Sequence, residues 1–251
     1  MINTIRSEWI KLRTVRMNLV LFIIAIAFPV IVSVLVASLG DITDLKVSDV
    51  AGLVNSTSVV TALLLGVVGA VSICAEFGYG TIRPTFAATP RRMRVLISKA
   101  IVTALFAAVA EACVVVFCFV VASAIATSRG ASVSLNGQPE VRAALVGIVI
   151  FAVIVSLLGL GLGMVIRNTP AAVAVLILWP LVIENIIRAV LSAAGVDHPL
   201  KFLPYISGFA LSRTDSGDAE TLGRVAGGLY FFAATAAVAA IGAVITARRD
   251  A

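Results

Sequence analysis

Residues Ala75–Ala100 read AEFGYGTIRPTFAATPRRMRVLISKA and lie between two long apolar runs. The stretch holds six charged residues, Glu76, Arg83, Arg91, Arg92, Arg94 and Lys99, five of them positive. The chain around it is oily: of 251 residues, 61% are hydrophobic and only 13% are charged. Soluble domains carry about a quarter charged residues. No water-soluble core of this size hides such an apolar surplus, so the chain reads as an integral membrane protein. Small and aliphatic residues carry the apolarity rather than aromatics, which suits helices packed through small side chains.

A membrane-crossing helix needs about 20 apolar residues. Six stretches qualify or nearly qualify: 19–39, 59–75, 97–126, 141–166, 171–190 and 225–247. Pro29 marks a kink in the first. The second is short unless its polar flank NSTS enters the interface, and the third is long enough to tilt. No alternation of period two is evident, which argues against a β-barrel. Basic residues followed by an apolar run at the N-terminus imitate a signal peptide. An apolar signal core is only about 7–15 residues long, so 19–39 reads as a retained helix. The chain is then one transmembrane domain over 1–251.

Lysine and arginine counts set the orientation. With the N-terminus inside, twelve of the nineteen basic residues fall in inner segments and seven in outer ones. Both termini are thereby expected in the cytoplasm. The segment 76–96 becomes a cytoplasmic loop and 191–224 an extracytoplasmic one. Before the first span, Ile2, Ile5, Trp9 and Leu12 recur at helical spacing, with Arg6, Lys11 and Arg13 off that stripe. Residues 1–17 therefore read as an amphipathic helix in the headgroup region, with Trp9, Lys11 and Arg13 as interfacial contacts.

Several chemistries find no support. There is no G-x-x-x-x-G-K-[ST], so the chain carries no P-loop of its own. GLGLG at Gly159–Gly163 sits deep in an apolar run and reads as close helix packing. The single histidine, His198, has no Cys partners for a metal site and no nucleophile-elbow motif beside it. Cys74, Cys113 and Cys118 all lie in apolar runs and imply no disulfide. No catalytic and no metal-binding residues are assigned.

Two carboxylates do fall inside spans, Glu111 and Glu184. Either is costly against lipid, so each should face the bundle interior. Lining a translocation path and fixing helix packing are both open to them, and Arg188 could pair with Glu184 one turn away. Trp179-Pro180 marks a kink.

Thr89-Pro90 forms a strong helix start, with Thr as cap and Pro at the first helical position. A short helix follows, with Met93, Leu96 and Ile97 on one face and Arg91, Arg92 and Arg94 turned outward. Lys99 can snorkel as the third span begins. Such a basic helix suits anionic lipid or a cytosolic partner equally.

The residues of this loop resemble a family. The acidic end of the second span at Glu76, the GT-x-R element Gly80-Thr81 with Arg83, the pair Pro90-Arg91, and Lys99 are similar to the corresponding loop of ABC-type-2 transporter permeases. RSEWIKLRTVR resembles that family's elbow helix through Glu8, Lys11 and Leu12, and LLGLGLGMVIRNTPAAVAVLI resembles its turn between the fourth and fifth spans. The resemblance implies an all-α membrane fold: six spans, an interfacial elbow helix, a short cytoplasmic coupling helix, and short outer helices before the last span. It implies ATPase coupling through Glu76, Arg83, Thr89, Pro90, Arg91, Arg92, Met93 and Arg94. The coupling helix would lie at about Thr89–Leu96, and Pro84 should interrupt any helix before it.

The same resemblance implies partners. These are two cytosolic ABC ATPase subunits holding ATP and Mg, a second permease chain, and membrane lipid. No cofactor is expected on this chain itself, and it is not expected to be an enzyme. The implied role is the permease of an exporter in the cell membrane, moving a lipophilic drug, peptide antibiotic or lipid. The alternative is a membrane component of another complex, such as an uptake subunit or a sensor anchor. The EAA---G loop of the better-known importers is not found in this sequence.

Overall fold

The computed structural model describes residues 2–14, 16–39, 46–88, 92–130, 134–214 and 221–249. All regular structure among them is helical. The order is α1 Ile2–Thr14, α2 Arg16–Leu39, α3 Val47–Gly78, α4 Ile82–Ala88, α5 Arg92–Ser128, α6 Pro139–Ile166, α7 Thr169–Leu178, α8 Glu184–Ala193, α9 Pro204–Phe209 and α10 Arg224–Arg249. Six elements are long and apolar enough to cross a membrane: α2, α3, α5, α6, α7 continued into α8, and α10. One end of the bundle gathers α1, α4, the α6–α7 turn and the close of α10; it is called the terminal end below. The far end gathers the remaining connections.

The centre of the bundle is the α3–α6 pair. In α3, 67% of the most apolar window is buried and in α6 56%, against 17% in α2 and 22% in α10. Small residues permit this approach. A Cβ at Gly159 would overlap the Gly66 carbonyl oxygen, and one at Gly69 would overlap the Ser156 carbonyl oxygen. The GLGLG run is therefore a backbone-to-backbone packing seam.

Helix α3 extends through the polar NSTS flank because that flank is satisfied within the helix. Ser56 and Ser58 donate to the Leu53 and Val54 carbonyls at 2.8 and 2.6 Å, and Thr57 donates to Val54 at 3.0 Å. Between α6 and α7, Arg167 closes one helix in the left-handed region (φ 58). Asn168 opens the next by accepting from the Ala171 N–H at 3.0 Å. The expected kink at Trp179-Pro180 is a π turn over Trp179–Ile183. Pro180 has no N–H to give, and widening the turn accommodates that loss. The Asn185 side-chain amide then donates to the Leu181 carbonyl at 3.0 Å.

Before α10 the chain folds back in short pieces: a 3-10 turn at Pro199–Phe202, α9, and a second 3-10 turn at Ala210–Ser212. Tyr205 and Phe209 pack on Phe151 at 5.1 and 5.7 Å, and Phe231 closes the cluster at 5.6 Å. Gly147 lets the Leu211 carbonyl rest against α6.

The basic loop differs from expectation in two respects. Pro84 does not interrupt a helix; it lies inside α4. It occupies the first turn, where its missing N–H would find no intrahelical acceptor anyway. Thr89, Pro90 and Arg91 lie outside the described residues, and Arg92–Leu96 begin α5 without a break. The separate short helix of this segment is thus α4.

Candidate functional site

Four charged side chains meet at the terminal end. Lys99 of α5 is buried, and its ammonium donates to Glu8 Oε2 of α1 at 2.5 Å and to Glu76 Oε1 of α3 at 3.0 Å. It also donates to the Ser72 carbonyl at 3.3 Å. Lys11 donates to Glu8 Oε1 at 2.8 Å and shares Glu76 Oε1 at 3.0 Å. Two carboxylates and two ammoniums thus bind three helices into a neutral quartet. Lys99 does not snorkel to a headgroup, because two buried carboxylates need it. A cavity of about 270 Å³ lies against the quartet, bordered by Ser72, Tyr79 and Val102.

The quartet holds its own charges. Burial alone would raise the Glu8 carboxyl, but the Lys99 and Lys11 ammoniums outweigh it and keep Glu8 below its ordinary value. Burial alone would lower Lys11, but its hydrogen bonds to Glu8 and Glu76 raise it. The side of α1 bearing Leu12 is seated in the core with Val68 and Val102, and Ile5 and Trp9 pack beside it. Trp9 meets Phe106 edge-on at 6.3 Å. The Arg13 side chain lies outside what is described.

In front of the quartet lies the basic loop. Ile82 and Phe86 bury one side of α4 in a cluster with Ile73, Val95 and Leu96. Arg83 and Pro84 are left exposed on the other side, and Met93 and Arg94 are exposed at the start of α5. The inward face of that start is therefore Arg92, Val95, Leu96 and Lys99 rather than Met93, Leu96 and Ile97. Arg92 turns inward. Its guanidinium lies 5.5 Å from the Phe86 ring centroid and donates to the Ala247 carbonyl at 3.0 Å. Arg167 donates to the Ile245 carbonyl at 3.3 Å and lies over Phe77 at 4.7 Å. Two arginines thereby reach carbonyls in the last two turns of α10, where positive charge suits the helix dipole.

Sequence reasoning quoted Glu8, Glu76 and Lys99 separately and missed that they meet. The available signal was their sign: two acidic residues, one in the middle of α1 and one at the end of α3, in strongly basic surroundings.

A family model described as ABC-2 family transporter protein matches residues 4–183. The chain belongs to that family. No curated protein matches it. As an ABC-2 permease it is a multi-pass membrane protein and the membrane component of an ABC transporter. The matched segment contains all four quartet residues and the whole basic loop.

The permease places its two intramembrane carboxylates differently. Glu184 is fully buried at the far end. It accepts from Trp179 Nε1 at 3.0 Å, from the Tyr205 N–H at 2.8 Å and from the Ile206 N–H at 3.0 Å. It therefore caps α9 from across the fold, and the π turn brings Trp179 within its reach. The expected partner Arg188 is exposed instead. Glu111 is also fully buried, facing α3. The Ser58 hydroxyl lies beside it, within hydrogen-bonding reach of the Glu111 carboxyl and of the Val54 carbonyl, to which it donates at 2.6 Å.

Proposed function

We propose that this chain is the permease subunit of an ATP-driven exporter, coupled to separate P-loop ATPase subunits through the loop between α3 and α5. The single observation that carries this reading is the quartet's position. Glu76 and Lys99 lie at the two roots of the loop, and the exposed Arg83, Pro84, Met93 and Arg94 form its outer surface. A push on α4 would thus reach α1, α3 and α5 together through one buried cluster.

Each transporter would hold two ATPase chains, which bind ATP and Mg, and two permease chains. The largely exposed apolar surfaces of α2, α7–α8 and α10 support a second permease copy beside this one. The basic terminal end would face the cytoplasm of the cell, following the bias of lysine and arginine. Cargo would move outward between the two permeases. The scarcity of charge in the spans favours a lipophilic drug, peptide antibiotic or lipid. Glu111, which has only the Ser58 hydroxyl beside it among the described residues, is the better candidate for the path, and Glu184, held by three N–H groups, for packing.

The test is co-expression with the P-loop ATPase encoded beside this gene, followed by measurement of stimulated ATP hydrolysis. Arg83→Glu with Arg94→Glu should abolish stimulation while leaving thermal stability unchanged, because both side chains face solvent. Purification with no P-loop ATPase, or full stimulation by the double variant, would sink the proposal.

A further inference from the structure

We propose that the groove between α1, α2 and α5 binds the acyl chain of an anionic phospholipid. The groove is about 400 Å³ in volume and is lined by Trp9, Leu12, Leu19, Phe22, Phe106 and Cys113, among others. Phe22 and Trp9 flank the Phe106 ring at 5.2 and 6.3 Å, which gives the groove a fixed aromatic floor. Among the described residues its lining holds no charged side chain, and the surface it offers is apolar.

Position decides that the occupant is hydrocarbon. Leu19 on α2 and Val109 on α5 line the groove and are each about half exposed. These residues belong to spans, so the mouth opens onto lipid. A cleft of this kind left empty would forfeit dispersion contacts along its whole lining.

Charge decides which lipid. Arg6, Arg13 and Arg16 lie in or just after α1, and Lys11 beside them is spent on Glu8 and Glu76. Glu8 is consumed by Lys11 and Lys99. Arg6 is exposed, and Arg13 follows Trp9 by one helical turn. A basic helix at headgroup level attracts anionic lipid. The inference rests on the reading that α1 lies at that level.

The chain's two tryptophans make the test direct. Trp9 lies in the groove, whereas Trp179 lies on α7–α8 and serves as an internal control. Fluorescence is measured in nanodiscs carrying brominated phosphatidylglycerol or brominated phosphatidylcholine at equal mole fraction. The Trp9→Phe protein reports Trp179 alone, and the difference from wild type reports Trp9. Trp9 should be quenched roughly twofold more by the anionic lipid, as surface charge attraction implies, and Trp179 equally by both. Raised salt, or Arg6→Glu with Arg13→Glu, should bring the Trp9 ratio to one. Equal quenching of Trp9 by both lipids in wild type would overturn the selectivity. Quenching by aqueous acrylamide but by neither lipid would overturn the interfacial placement of α1 as well. Resistance to all three quenchers, with Cys113–Cys113 cross-linking, would assign the groove to a second copy.

Discussion

At the terminal end Glu8 and Glu76 are answered by two lysine ammoniums, whereas at the far end Glu184 meets no cation among the described residues and takes three N–H groups instead. The two solutions differ mechanically. A lysine ammonium is a compact charge with three rotatable donors on a flexible stem. It can follow its carboxylates through small shifts without losing them. Two consecutive backbone N–H groups and an indole N–H point in set directions. A carboxylate that satisfies all three holds α9 in one pose. The quartet is therefore a compliant joint and the Glu184 cap a rigid lock. Under the proposed coupling, this order would put compliance where motion enters and rigidity where the short helices close the bundle.

The comparison breaks first at Lys99. Lys99→Met should leave Glu8 and Glu76 buried with only the half-exposed Lys11 between them. The expected cost is about 3–5 kcal/mol, the range for removing one partner of a buried ion pair. A thermal-stability assay in detergent would register it as a large fall in midpoint. Adding Glu8→Gln to that variant should recover part of the loss, and a strictly additive pair would show that the two side chains do not interact.

Glu184→Gln should cost less, about 1–3 kcal/mol, because one amide oxygen replaces two acceptors while three donors remain. Its effect should also be local. Hydrogen exchange should quicken at Tyr205 and Ile206 and stay unchanged in α1. Loosening of both ends together would show that lock and joint are not independent. Trp179→Phe removes one donor and should cost about 0.5–1.5 kcal/mol, read in the same exchange experiment.

The smallest expected effect is that of pH on α1. Glu8 is held below its ordinary 4.5, so its contribution is complete above that pH and lost as pH falls through the lowered value. Lys11 is held above its ordinary 10.5, so its contribution is complete below that pH and lost as pH rises through the raised value. Exchange protection of α1 should be flat between those limits and fall outside them. A marked change near neutrality would mean that another group governs the docking of α1.

How much of this the sequence disclosed depends on the range of the interaction. The six spans were legible because each is a local run of apolar residues, and the GLGLG seam because a nucleotide loop has no place inside such a run. What escaped was long-range pairing: Glu8 with Lys99, and Glu184 with the Tyr205 and Ile206 N–H groups. Helical spacing suggested Arg188 for Glu184, because i to i+4 neighbours are the default. The π turn at Pro180 shifted the register and brought Trp179, five residues back, into reach. Pro84 misled for the opposite reason, since proline's penalty depends on its place in the helix and the first turn of α4 spares it.

The glycine seam between α3 and α6 has a practical consequence for observing any motion. Two helices whose backbones touch at Gly66–Gly159 and Gly69–Ser156 cannot slide past each other by a residue without collision. They supply a fixed frame of reference inside the molecule. Spectroscopic labels placed on α3 and α6 should keep one separation through every state, and displacements of α1, α5 or α9 can be measured against that internal ruler.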